Sequence, residues 1–235
     1  MRAPSCTTSS TTGRTIAPRP RGFANSWRLA IRTPGTLLDV ACGTGSHLVH
    51  LRDWYAVEGL DLNADLLKVA ARRLPEVTLH EADMRDFDLG RTFDVVTCLF
   101  SSIGYVETTG GLSRAVEAMA RHLAPSGVLI VEPWLSPNTF DAGRLGRLIV
   151  VERSDLQAVR MNGSRVKGNL SIMDYHYLVT RPGQVEHLTE SHSLGLFTDD
   201  EYRSAFEHAG LSVEHDADGL MGRGLWIGQR GRATA

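Results

Sequence analysis

A glycine turn preceded by an aspartate is the first segment of this sequence that could do chemistry. The run LDVACGTG, residues 38–45, leads from an apolar stretch into a helical pattern and contains Asp39, Ala41, Gly43 and Gly45. Glycines let a ligand approach the backbone where a Cβ would clash, and amides at a helix start favour negative charge. The spacing is not GxGxxG, and no Walker lysine follows. Taken alone, the turn predicts either a cofactor site or a tight connection between a strand and a helix.

Two further strand ends carry acids at corresponding places. Asp61 lies 18 residues after Gly43, where a carboxylate can accept both hydroxyls of a ribose, although it could also cap the helix expected from Ala64. At the end of the next strand, Asp83 and Met84 stand at the same rim. Three successive strand ends with polar groups at one edge indicate the ligand crevice of an open α/β sheet.

The elements that position these residues alternate as strands and helices, which is typical of βαβ units. The predicted strands cover residues 37–41, 56–60, 77–80, 93–99 and 128–132, and the predicted helices cover residues 46–52, 64–74 and 112–123. The continuous apolar character of residues 93–99 suits a strand buried on both faces. The pattern therefore predicts an α/β fold with a parallel sheet.

After Pro133 the pattern changes to stretches with β character separated by turn chemistry. The separators are Asn162-Gly163, Lys167-Gly168-Asn169 and Arg181-Pro182-Gly183. We expect an antiparallel insert of two or three strands over residues 158–196, after strand five. A helix capped by Thr198 and ended by Gly210 should follow, and two strands, 212–215 and 224–229, should complete the sheet.

Composition excludes several classes of protein. A chain of 235 residues with a net charge of -2 lacks the positive balance of a dedicated nucleic-acid binder. No apolar run reaches the ~18 residues of a membrane span. Three cysteines without paired spacing support neither a disulfide framework nor a cysteine zinc site, and no other cluster has metal spacing. We therefore expect no metal, no nucleic acid and no membrane, and a reducing compartment, the cytoplasm.

The head of the chain has a different composition. Residues 1–38 contain six arginines and no acid, and we predict that residues 1–35 are disordered and that residues 36–235 form the domain. An acid-poor transit peptide, a basic arm and an untemplated extension are three readings of this head. A secretory signal is excluded because no apolar region follows the first arginine.

The motif in residues 39–45 resembles that of class I S-adenosyl-L-methionine (SAM) methyltransferases. The resemblance implies a Rossmann-like seven-stranded methyltransferase sheet and SAM as the cofactor. By it, Ala41, Gly43 and Gly45 would lie against the methionine part of SAM, Asp61 would hold the ribose, and Asp83 and Met84 would meet the adenine. The same resemblance adds three further residues to the cofactor-binding set, which are Asp39, Leu62 and Phe100.

A closer resemblance covers nearly everything after Thr36. The chain is similar to the N,N-dimethyltransferases that act on nucleotide-linked 3-amino-deoxysugars in antibiotic pathways. The segments that carry it are DMRDF (83–87), FSSIGY (100–105), VEPW (131–134), MDYHY (173–177), ESH (190–192) with LF (196–197), and GRGL (222–225). Two positions depart from the family. Tyr105 stands where several relatives carry histidine, and Trp226 replaces the usual phenylalanine.

The implied reaction is attack of a sugar amine on the methyl of a sulfonium, with a TDP-linked aminosugar as substrate and N,N-dimethylation as the result. A free amine is mostly protonated near neutral pH, so a group that accepts its proton is expected. The candidate catalytic residues are Tyr105, Glu132 and His176, each of which could instead have a packing, cofactor-binding or solvent-facing role. The resemblance implies that the substrate contacts Ser101, Ser102, Trp134 and Arg223.

By itself Arg223 would be interpreted as one of many surface arginines. The resemblance implies that it binds the diphosphate, since a guanidinium flanked by two glycines can reach phosphate freely. The alternatives to the aminosugar enzyme are an O- or C-methyltransferase of another small metabolite and a SAM-binding but catalytically deficient chain. A homodimer is possible.

The anomalous head suggests a frameshift. The chain has 23 arginines and two lysines, as GC-rich coding produces, and such genes keep long open stretches in wrong frames. Moving the reading frame of residues 7–33 one base upstream permits YDLFY over residues 7–11 and DYRAEA over residues 15–20. Both strings resemble the N-terminal segment of the aminosugar dimethyltransferases. We expect a frameshift rather than a transit peptide or a basic arm, and resequencing the gene tests it.

Overall fold

The computed structural model describes residues 35–231, which contain eleven strands. They are β1 (Gly35–Val40), β2 (Tyr55–Asp61), β3 (Thr78–Glu81), β4 (Phe93–Cys98), β5 (Leu123–Val131), β6 (Ile149–Glu152), β7 (Gln157–Lys167), β8 (Leu170–Arg181), β9 (Gln184–Gly195), β10 (Leu211–Asp216) and β11 (Leu225–Arg230). The head, with its predicted disorder and frameshift, lies outside these residues apart from Gly35, which begins β1.

Seven strands form the larger sheet, in the order β10-β11-β5-β4-β1-β2-β3. Strands β1 to β5 form one side of the sheet and all run parallel, whereas β11 runs antiparallel to both β5 and β10. The order reverses at β1, so the topological switch point lies between β1 and β4. The predicted Rossmann-like seven-stranded sheet is confirmed.

The central strands are buried because helices cover both faces of the sheet. Leu38 and Val96 pack in one core cluster, while Leu37 and Val95, their chain neighbours, pack in another on the opposite face. Alternate residues of one strand thus enter two cores, which is why these strands are apolar without a break. This double burial fixes the carboxyl ends of β1 and β4 in space.

The helices are α1 (Leu48–Leu51), α2 (Ala64–Arg73), α3 (Thr109–Arg121) and α4 (Asp199–His208), with a 3-10 helix over Ser102–Val106. The helix predicted over residues 46–52 corresponds to the shorter α1, because residues 43–47 form turns. α3 starts three residues before its apolar stripe because the Thr108 hydroxyl caps it. α4 begins with the predicted capping box of Thr198 and Glu201, and Gly210 follows it with a φ of 74°.

Four antiparallel strands, β6 to β9, form the insert as a second sheet. The predicted limits, residues 158–196 with two or three strands, were too narrow, since β6 begins at Ile149. Asn162-Gly163 was wrongly expected to turn, and it lies inside β7, where Gly163 pairs with Asp174. Long-range pairing with β8 outweighs the local turn preference of that dipeptide. The turns at Gly168 and Gly183 are confirmed by their positive φ.

Within residues 35–231, no helix is long and apolar enough to cross a membrane. The same part of the chain has no group of three or more His, Cys, Asp or Glu side chains that could hold a metal ion.

Candidate active site

The turn after β1 is tied to the end of β2 through Asp61. One oxygen of this carboxylate accepts the Gly43 N–H and the other accepts the Asn63 N–H, both at 2.8 Å. The alternative that Asp61 caps α2 is wrong, because the Asn63 side chain accepts from the first amides of that helix. Each Asp61 oxygen has a second lone pair, so an oriented, buried carboxylate remains able to accept a pair of hydroxyls.

The two glycines of the turn serve different purposes. Both have positive φ, 55° at Gly43 and 74° at Gly45, as does Ala41 at 58°. Among residues 35–231, a Cβ on Gly43 would meet only a Leu66 methyl at 4.0 Å, so these residues leave the turn open there. A Cβ on Gly45 would approach Leu74 to 3.0 Å, so this glycine lets the turn pack on α2. Gly43 therefore leaves room for a ligand beside the turn, whereas Gly45 lets the turn pack closely against α2 and Leu74.

Asp39 is a buried carboxylate at the end of β1. Its Oδ1 accepts from the Thr97 hydroxyl at 2.7 Å, while its Oδ2 has no hydrogen-bond partner among residues 35–231. Burial raises its pKa to about 6, against the lowering effects of His47 and the Thr97 hydrogen bond. A buried oxygen without a partner at this edge is suited to accept a hydrogen bond from a bound ligand.

The ends of β2 and β3 provide apolar and acidic groups. Leu62 is 65 % exposed directly after Asp61, and Met84 lies half-buried against the core. Both Asp83 oxygens accept from the Arg85 guanidinium, at 2.6 to 3.1 Å, and this hydrogen bonding holds the pKa of Asp83 below its ordinary value. An adenine amino group would have to share this carboxylate with Arg85.

The backbone after β4 is strained at two residues. Phe100 and Ser101 have φ of 54° and 64°, a left-handed conformation that costs energy for residues other than glycine. The Phe100 N–H donates to Oε2 of Glu132 at 2.8 Å, and the other oxygen of this buried carboxylate has no partner within residues 35–231. The exposed Phe100 residue is thus hydrogen-bonded through its backbone to a buried acid.

Arg223 reaches across the chain to this same strand end. Its guanidinium donates to the Ser101 hydroxyl at 2.5 Å and lies 5.3 Å from the Trp134 ring and 5.7 Å from the Phe100 ring. The Ser101 hydroxyl in turn donates to the Pro133 carbonyl at 2.7 Å. Three of the four predicted substrate residues thus form one group, held against the carboxyl ends of β4 and β5.

The 3-10 helix carries the fourth substrate residue, Ser102, and the candidate acid-base residue Tyr105. It packs against one face of the insert, which we call the inner face and which carries Arg160, Met173, Tyr175, Tyr177, Glu190 and His192. The Tyr105 hydroxyl lies 2.5 Å from Nδ1 of His192. Tyr105 therefore connects the main sheet with the insert.

His176 lies on the opposite, outer face of the insert. It alternates with Tyr175 and Tyr177 along β8, and its ring stacks on His187 with 3.0 Å between nitrogens. Strand alternation thus places His176 away from Tyr105 and the inner face.

The family segments of the sequence include all the inner-face residues except Arg160, but Glu190, His192, Tyr175 and Tyr177 were given no role. The signal that could have found them is their spacing of two, in Tyr175 with Tyr177 and in Glu190 with His192. That spacing places both pairs on one face of a strand.

The residues at the carboxyl edge fit SAM. The open backbone at Gly43, the oriented Asp61 carboxylate and the two unpartnered buried oxygens of Asp39 and Glu132 are suited to a ligand with a ribose and an ammonium group. All of them lie at the topological switch point, where open α/β sheets bind ligands.

Comparison with known proteins identifies methyltransferases as relatives of this chain. The family model of a methyltransferase domain matches residues 37–127. The dTDP-3-amino-3,6-dideoxy-alpha-D-glucopyranose N,N-dimethyltransferase of Streptomyces fradiae is 47 % identical over 198 residues, which are 83 % of this chain and 77 % of that enzyme. The corresponding 3,4,6-trideoxy enzyme of Streptomyces venezuelae is 46 % identical over 84 % of each chain.

Among solved structures, SAM-bound CalS10, an amino pentose methyltransferase from Micromonospora echinaspora involved in calicheamicin biosynthesis, aligns with a TM-score of 0.80. It is 40 % identical and covers 86 % of each chain. Fold and site together define a SAM-dependent methyltransferase. Within that class, the chain belongs to the family of aminosugar N,N-dimethyltransferases.

Proposed function

We propose that this enzyme transfers two methyl groups in succession from SAM to the amino nitrogen of a TDP-linked 3-amino-deoxysugar. The observation that carries the proposal is the identity of nearly half with two such enzymes over more than four fifths of the chain. The position of Arg223 supports it, because a guanidinium beside the cofactor edge suits a substrate with a diphosphate.

The carboxyl edge would hold SAM, which supplies an electrophilic methyl on a sulfonium when bound. In this proposal Asp61 accepts the ribose hydroxyls, Asp83 and Met84 flank the adenine, and the turn at Gly43 lies along the methionine part. Asp39 and Leu62 complete this edge, and the exposed Phe100 ring borders it. These residues orient the donor, and alignment alone can lower a barrier by ~7–11 kcal/mol.

The substrate would lie between this edge and the insert. Arg223 would bind the diphosphate, and Ser101, Ser102 and Trp134 would line the sugar side. The second oxygen of Glu132, which has no hydrogen-bond partner in the described part of the chain, would accept from an ammonium group, either the substrate amine or that of SAM. Of the acid-base candidates, we favour Tyr105 over His176, since His176 lies on the outer face.

We also propose that the enzyme is a cytoplasmic homodimer. The outer face of the insert supports the dimer, since its side chains at Met161, Leu178 and Val185 are apolar and more than half exposed. Sedimentation of the purified protein would measure its oligomeric state.

The test is an assay with SAM and a panel of TDP-linked sugars. The panel contains 3-amino and 4-amino sugars and a matched sugar with a hydroxyl in place of the amine. Mass spectrometry of the products should show one and then two added methyl groups on the 3-amino sugars and none on the hydroxyl analogue. Methylation of the hydroxyl analogue alone would contradict the proposal and favour an O-methyltransferase.

A further inference from the structure

A chain of hydrogen bonds runs from Tyr105 across the inner face of the insert. The Tyr105 hydroxyl lies 2.5 Å from Nδ1 of His192, and Nε2 of His192 lies 2.7 Å from Oε1 of Glu190. The other Glu190 oxygen accepts from the Tyr177 hydroxyl at 2.9 Å. The side chain of Glu190 is half exposed, so this series of hydrogen bonds leads from the 3-10 helix toward solvent.

The partners fix the direction of these hydrogen bonds. A carboxylate only accepts, so Nε2 of His192 carries the hydrogen that Glu190 receives. Nδ1 of the neutral ring is then an acceptor, and the Tyr105 hydroxyl must donate to it. The lone pairs of the Tyr105 oxygen are left as acceptors, and half of that side chain is exposed.

The surroundings keep Tyr105 a neutral phenol. Burial raises its pKa to about 12, and the neighbouring Glu190, Tyr175 and Tyr177 act in the same direction. The groups that face Tyr105 and His192 from the three long strands of the insert are Arg160 on β7, Tyr175 and Tyr177 on β8, and Glu190 on β9. A phenol that stays protonated cannot act as a base by itself, so it can accept a proton only by giving up its own.

We propose that Tyr105, His192 and Glu190 form a proton relay that deprotonates the substrate ammonium, an inference that rests on the proposed function. The substrate N–H bond breaks as a new O–H bond forms on Tyr105, and the original Tyr105 proton moves to Nδ1 of His192. The imidazolium that results is paired with the Glu190 carboxylate and then releases the proton to water. Tyr105 is the catalytic residue of this relay, whereas His192 and Glu190 act through it.

The test compares His192→Ala with His187→Ala, a histidine on the outer face of the same strand. At about pH 7, where the amine is mostly protonated, His192→Ala should lower kcat roughly tenfold or more. At about pH 9 solvent already removes the proton, so the loss should shrink to roughly threefold. His187→Ala should follow the wild-type pH profile.

Two further measurements separate a relay from a structural role. Added imidazole should restore turnover of His192→Ala and leave the wild type and His187→Ala unchanged. Tyr105→Phe keeps the ring but breaks the relay, so it should reproduce the loss near neutral pH and should not respond to imidazole. Affinity for SAM, measured by calorimetry, should stay unchanged in each variant.

If both His192→Ala and Tyr105→Phe keep the wild-type pH profile, the relay is wrong although the proposed function stands. If His192→Ala loses SAM affinity as well, Tyr105→Phe alone decides. Failure of the wild type to methylate any amino sugar would instead contradict the proposed function.

Discussion

The carboxyl edge of the main sheet and the inner face of the insert are both polar, but they are built in different ways. At the edge, Asp39, Asp61 and Glu132 are buried, and backbone amides or a strand hydroxyl orient each carboxylate. On the inner face Glu190 is half exposed, as is Tyr105 on the 3-10 helix opposite, and other side chains orient both residues. The edge therefore suits a ligand that is held in one fixed orientation, such as SAM, while the insert suits proton exchange with water.

This comparison predicts that neutralising a buried carboxylate of the edge changes the free energy of unfolding more than any other substitution at the site. Burial raises the Asp39 pKa from 3.8 to about 6, so the folded state binds a proton more tightly than the unfolded state. The stability contributed by this group is present below about pH 4 and is lost as the pH rises through about 6. Asp39→Asn without SAM should therefore be more stable than the wild type above pH 6, by on the order of 3 kcal/mol.

Denaturant unfolding between about pH 4 and pH 7 measures this difference. The gain should vanish toward pH 4, and the exposed Asp53→Asn should show no such trend. Parallel stability curves for wild type and Asp39→Asn would contradict the assignment of a buried, destabilising charge.

The second prediction sharpens the description of the edge as the SAM site. Asp61→Ala removes the acceptor of the Gly43 and Asn63 amides, and, if the proposed ribose contact is right, it would also leave two ribose hydroxyls without an acceptor. It should weaken SAM binding at least about tenfold by calorimetry, or about 1.4 kcal/mol. Asp65→Ala, an exposed aspartate four residues later that pairs with Lys68, is the matched control. Unchanged affinity in Asp61→Ala would remove this residue from the cofactor site.

The smallest effect is expected at Arg223, which lies at the carboxyl edge and contacts no residue of the inner face in the hydrogen bonds and ring contacts of residues 35–231. Arg223→Lys keeps the charge but loses the planar fork between the Trp134 and Phe100 rings. It should raise KM for the sugar nucleotide roughly fivefold, about 1 kcal/mol, and leave SAM affinity unchanged. Arg181→Lys at the end of β8, where Arg181 pairs with Glu186, is the control. Equal loss for both ligands would show that the closing strands, and not a phosphate contact, are affected.

The sequence by itself determined the main sheet and most of its carboxyl edge. Strands that are buried on both faces have unbroken runs of apolar residues, so they can be recognised in the sequence. The carboxyl ends of parallel strands lie at one edge of the sheet for any conformation of the loops. Asp61 could therefore be placed beside Gly43 from spacing alone. The capping box of Thr198 and Glu201 was equally readable, because its partners lie within one helical turn.

Tertiary structure alone decided the insert and the contacts it makes. Asn162-Gly163 has the local chemistry of a turn, yet pairing with β8 along its whole length keeps β7 extended there. Tyr105 and His192 are 87 residues apart, and Arg223 and Ser101 are 122 apart, so no local pattern brings them together. Which face of β8 and β9 meets the 3-10 helix depends on strand register, and a shift of one residue would have presented His176 instead of Tyr175.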